Sequence, residues 1–121
     1  MFLATTNKTK QLLYLSYIGK VSEGDLQSNA PDLAAMLAEL SPGFRVLADL
    51  SQMESMDTAC VPEIGRTMEL LEQRGVGLVV RIIPDPSKDI GMNIISAFHY
   101  KNRPQTATCE TMAAAAELLS L

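Results

Sequence analysis

The sequence is poor in the residues that most active-site chemistry requires. It holds one histidine, two cysteines and no tryptophan, and aromatic residues make up only 5% of it. A lone imidazole cannot build a usual metal site, and a base needs a nucleophile or an orienting carboxylate beside it. His99, in Phe98-His99-Tyr100, therefore reads as a surface or half-buried structural residue. Cys60 and Cys109 stand far apart, without a CxxC spacing, so two reduced thiols are expected rather than a zinc or disulfide framework. Glycine-rich nucleotide loops, HExxH and a Ser/His/Asp set are absent as motifs. The expectation is a non-enzyme with no metal, no cofactor and no catalytic residue.

Basic runs interleaved with aromatics are also missing, and the formal charge is −4. Such a surface repels phosphate backbones and anionic lipid, which argues against nucleic acid and membrane surfaces as partners. Met1 to Lys10 has no positive start leading into an apolar stretch, so no secretory signal is expected. The most apolar run, Val76 to Ile83, is too short to span a bilayer and contains Arg81. These readings place the protein in the cytoplasm, without membrane insertion.

What is present is a globular pattern. Apolar residues are 47% of 121, enough for one core at the commonest single-domain size. Phe2 to Thr5 and Gln11 to Gly19 are β-prone runs joined by Asn7-Lys8-Thr9-Lys10, the pattern of a hairpin. From Glu23 to Leu40 the period becomes helical, with Leu26, Ala30, Leu33, Leu37 and Leu40 in line and Pro31 predicting a kink or a fresh start. Phe44 to Leu50 reads as a strand and Thr58 to Arg74 as a helix, with Val61, Ile64, Met68 and Leu71 on one face and Gly75 at its C-terminus. Gly77 to Ile83 is the next strand, Asp89 to Tyr100 a helix, Gln105 to Cys109 a last strand and Met112 to Leu119 a last helix. The order ββαβαβαβα implies an α/β fold: a mixed, mostly parallel sheet flanked by about four α-helices, with an N-terminal β-hairpin. No composition shift or linker marks a boundary, so 1–121 is expected to be a single domain.

The stretch Val46-Leu47-Ala48-Asp49-Leu50-Ser51-Gln52-Met53-Glu54-Ser55-Met56-Asp57-Thr58 carries a pattern of its own. A strand ends in Asp-Leu, six residues pass, and Asp-Thr opens a helix. This resembles the switch region of STAS domains, the family of anti-sigma-factor antagonists and sulphate-transporter tails. The order of elements matches that family along nearly the whole chain. The resemblance implies a STAS-like regulatory module that binds a protein partner through the switch helix, with Asp49, Asp57, Thr58 and Cys60 as regulatory or partner-binding residues. In the antagonists two small hydroxyl residues and a glycine follow the Asp, and the second hydroxyl is phosphorylated. Here the chain runs Asp57-Thr58-Ala59-Cys60, so the usual phosphoacceptor position is Ala59 and the phosphorylation switch is degenerate. The related CRAL-TRIO group shares part of the architecture, and a carrier or sensor of a small lipophilic ligand is the alternative.

Each candidate residue also has a plainer role. Asp57 or Thr58 can cap a helix whose N-terminus would equally suit a phosphate or carboxylate. Cys60 in a first helical turn would have a lowered pKa, although a free cysteine usually packs as a small apolar residue. Arg81, in an apolar strand, suits a structural pair with a carboxylate such as Asp49. Asp85, Ser87 and Lys88 form a polar loop after a strand, at the end of the sheet where α/β folds gather ligands, and are the candidate small-molecule loop. Met53, Met56 and Met92 near that end suit core or an adaptable apolar surface. A homodimer is left open.

Overall fold

A computed structural model describes residues 1–84, 90, 94, 97–98 and 105–121. The N-terminal hairpin is formed by β1 (Phe2–Asn7) and β2 (Leu12–Tyr17), paired antiparallel. Its turn closes through the Asn7 side chain, which accepts from the Lys10 amide at 3.1 Å. Gly19, at φ +64°, ends β2's path and starts a short β3 (Gly19–Val21).

Helix α1 (Glu23–Ala38) begins at a capping box: Ser22 Oγ accepts from Asp25 N, and Asp25 Oδ2 accepts from Ser22 N. It runs through Pro31 as one helix, where a kink or fresh start was expected. Pro31 and Gln27 both face solvent, so water can take the carbonyl that loses its amide partner. Next come β4 (Arg45–Asp49), β5 (Met53–Met56), a 3₁₀ turn over Thr58–Cys60, and α2 (Val61–Gln73). The expected helix from Thr58 is thus a tight turn followed by an α-helix with Pro62 in its first turn. Its end is a Schellman motif: the Val76 amide donates to Leu71 O, the Gly75 amide to Glu72 O, and Gly75 sits at φ +85°. The chain closes with β6 (Leu78–Ile82), β7 (Gln105–Cys109) and α3 (Met112–Leu118), the last capped by Thr111. Three α-helices therefore stand among the described residues; the helix expected over Asp89 to Tyr100 lies largely outside them.

The main sheet has the order β1-β2-β4-β6-β7, all neighbours parallel except the hairpin. Alternation along each strand assigns its two faces. Leu13, Leu15, Val46, Ala48 and Val79 point to the side of α1 and α2, where they meet Leu26, Leu33, Leu37, Ile64 and Leu71. Ile94 and Phe98 join this core, with Phe98 edge-on to Tyr17 at 5.2 Å. Leu12, Leu47, Val80 and Ile82 point the other way and are covered by Ala115 and Leu119 near the C-terminus. Met68, placed by its spacing on the buried stripe of α2, is only half-buried. A second, two-stranded parallel sheet pairs β3 with β5 and was not anticipated from the sequence. It buries Met53 and Met56 in the core, so neither contributes an exposed methionine surface.

Candidate partner-binding site

The β3–β5 pair positions the start of α2. Val21 O accepts from the Asp57 amide at 3.1 Å, which ties the turn to β3. Asp57 then caps the 3₁₀ turn, its Oδ1 accepting from the Ala59 amide at 3.2 Å, while its carbonyl accepts from Cys60 N. The cap is Asp57, and the Thr58 side chain is left pointing into solvent beside an equally exposed Ala59. Cys60 points inward, is fully buried, and its Sγ lies 3.7 Å from Val21 O. Burial pushes its thiol pKa up, and the carboxylates of Asp57 and Glu23 push the same way. The helix N-terminus that favours a thiolate is outweighed here, and Cys60 packs as a small apolar residue. Asp57, Thr58 and Cys60 are thus one local unit at the N-terminus of α2, packed beside the start of α1.

Asp49 belongs elsewhere. It shares the face of Leu47, the side away from α2, and only 6% of it is exposed. Tyr14 Oη donates to its Oδ2 at 3.0 Å, and Ser51 donates to its Oδ1 from both the amide (2.9 Å) and the hydroxyl (2.6 Å). Burial raises the Tyr14 phenol pKa, and the hydrogen bond and charge of Asp49 add to it. The expected pair of Asp49 with Arg81 does not form. In register Ala48 faces Arg81 and Asp49 faces Ile82, so the two side chains emerge on opposite faces of the sheet. Arg81 turns instead toward Phe98 O and Thr108 Oγ1. Tyr14 and Ser51 were not singled out from the sequence. An Asp followed two residues later by Ser is a familiar side-chain-to-backbone turn and was the available signal for Ser51.

Asp85, Ser87 and Lys88 lie outside the described residues, as do Met92 and His99. Beneath α2, between Leu15, Val46, Ile64, Met68 and Leu71, is a cavity of about 20 Å³. That is room for about one water, against the several hundred Å³ of a small-molecule pocket, so nothing at this position supports a lipophilic cargo. No described helix is long and apolar enough to cross a membrane.

The architecture is shared with solved structures. The anti-sigma factor antagonist SpoIIAA in its unphosphorylated form superposes with a TM-score of 0.67 at 13% identity, covering 99% of this chain and 98% of that one. The phosphorylated form of SpoIIAA, a Bacillus cell fate determinant, gives 0.65 at 13% identity, covering 98% of this chain and 99% of that one. A DUF3478-family protein with a SpoIIAA-like fold from Shewanella loihica PV-4 gives 0.66 at 15% identity, covering 98% and 92%. No protein-family model and no curated protein matches the sequence. The chain carries the SpoIIAA-like, STAS-like fold.

Proposed function

We propose that residues 1–121 act as one non-catalytic regulatory domain that binds a protein partner through the Asp57–Ala59 turn and the start of α2. The observation that carries this reading is the turn itself. Thr58 and Ala59 are presented to solvent on a support held by the Asp57 cap, the Val21 carbonyl and a buried Cys60. Preorganised backbone of this kind lowers the ordering cost of docking. The same fold serves an anti-sigma factor antagonist with unphosphorylated and phosphorylated forms. Both cysteines are free thiols, which suits a reducing, cytoplasmic setting.

Ala59 has no hydroxyl, so any phosphate switch at this turn must use Thr58. A phosphate there adds about −1.5 to −2 charges to an exposed turn. The helix start favours that charge, the neighbouring Asp57 opposes it, and a docked partner would have to bury it. Thr58→Glu is expected to weaken partner binding with the melting temperature unchanged. Affinity capture from source-cell lysate with wild type and Thr58→Glu in parallel, followed by calorimetry on the captured protein, tests this. Equal affinity of both forms removes the switch. Capture of the same proteins by a variant carrying Ala59→Arg and Glu63→Arg removes the turn as the binding surface.

A further inference from the structure

We propose that the outer edge of β1 is a second docking site, separate from the α2 turn, that takes an extended basic peptide as a sixth strand. Strand β1 ends the main sheet. Natural edges are usually blunted by charge or proline, yet Phe2–Asn7 contains neither. Leu3 is 48% exposed, on the face away from α1.

The backbone pattern identifies which groups are on offer. Met1 and Ile18 exchange both N–H···O bonds, each at 2.8 Å. In an antiparallel pair such exchange alternates, and the register is unbroken from Phe2↔Tyr17 to Asn7↔Leu12. Leu3, Thr5 and Asn7 therefore bond inward to β2, and Phe2, Ala4 and Thr6 turn their N–H and C=O outward. The Asn29 side chain agrees with this, reaching one of those outward groups, Phe2 O, at 3.4 Å.

Asn29 also shows which row of α1 overhangs the edge. Asp25, Asn29, Asp32 and Met36 follow helical spacing along one side, while Leu26, Ala30 and Leu33 turn toward α2. The acidic residues of α1 are Glu23, Asp25 and Asp32, and the helix has no lysine or arginine; Asp25 is already held by the Met1 ammonium at 3.4 Å and the Ser22 amide, so the exposed Asp32 is the carboxylate this row offers to a ligand. An added strand would run beside Asp32 on one face and beside Leu3 on the other. The matching chemistry is an extended segment with basic residues at alternate positions and apolar ones between.

A second copy of the chain does not fit this edge. Antiparallel pairing of β1 with its symmetry mate puts the two-fold axis perpendicular to the sheet, so both α1 helices would lie on one face. Each α1 packs over its own β1. Strands pair at about 4.8 Å, whereas packed helices need about 8–10 Å. A lone strand carries no helix and meets no such conflict.

The test uses two synthetic heptapeptides, one alternating lysine and valine, the other glutamate and valine, titrated onto the full chain. The lysine peptide is expected to bind, weaken with salt, and slow amide exchange at Ala4 and Thr6 while leaving Leu3 and Thr5 unchanged. Ala4→Pro removes an outward N–H without touching the β1–β2 ladder and is expected to weaken binding about tenfold. Thr6→Pro serves if the first variant unfolds. Asp32→Lys should lower affinity for the lysine peptide and raise it for the glutamate peptide. Equal binding of the two peptides, or unchanged exchange at Ala4 under saturation, overturns the proposal. So does a concentration-dependent dimer in sedimentation that Ala4→Pro disperses, which would assign the edge to a second copy. Loss of Thr58→Glu sensitivity bears on the α2 turn alone and leaves this edge untouched.

Discussion

Removing the Tyr14 hydroxyl tests the account of Asp49 most directly. Asp49 is 6% exposed, and among the described residues its carboxylate accepts from Tyr14 and Ser51. A hydrogen bond to a charged acceptor contributes about 1.5–3 kcal/mol when buried, and the half-exposed phenol argues for the lower end. Tyr14→Phe should therefore cost about 1.5 kcal/mol, a fall of about 6 °C in Tm for a domain of this size. Asp49→Ala leaves the Tyr14 hydroxyl and both Ser51 donors without their acceptor and should cost about 3 kcal/mol. Denaturant melts of both single variants and the double variant give a coupling expected at about 1 kcal/mol. An alkaline titration supplies a second readout. The folded Tyr14 titrates above the usual phenol value of about 10, because it is partly buried and because Asp49 holds its proton. The neutral phenol is the form the fold prefers, so this stability is complete below pH about 10 and is lost as pH rises beyond it. In Asp49→Asn the Tyr14 value should fall toward normal. Additive single-variant effects, or a Tyr14 titration unmoved by Asp49→Asn, would refute the pairing.

At the α2 turn, Asp57→Ala should cost about 1 kcal/mol as the loss of a cap, and Thr58→Ala less than about 0.5 kcal/mol, in thermal melts; the reverse order would exchange the roles of the two residues. Both thiols lie above their usual pKa through burial, so native protein at pH 8 should react slowly with a thiol reagent, and Cys60 should react only after unfolding. Fast labelling of Cys60 in the folded state would contradict its burial. Gly75→Ala should destabilise by about 1–3 kcal/mol, because φ is +85° and an added Cβ would stand 3.1 Å from Pro42 Cβ. A neutral result in chemical denaturation would mean the Schellman turn is not held as described.

The elements with a strong period were legible from the chain. Leu26, Leu33 and Leu37 declare α1, Leu13, Leu15 and Tyr17 declare β2, and Gly75 declares the end of α2, because each signal sits within one element. The β3–β5 sheet was hidden for the opposite reason. Three or four residues cannot show an alternating pattern, and their pairing joins Gly19–Val21 to Met53–Met56 across α1 and β4. The candidate residues divide in the same way. Asp57 as a cap is a local matter of one side chain and the amide two residues on, readable from Asp-Thr before a helix. The fates of Asp49, Arg81 and Cys60 depended on which way each side chain points and what covers it. Tertiary register put Asp49 and Arg81 on opposite faces, and the packing of β3 under the turn turned Cys60 from a helix-start thiol into core. Local sequence determined what the chain forms; only the assembled sheets decided what each polar group meets, because burial and partnership arise from residues far apart in the chain.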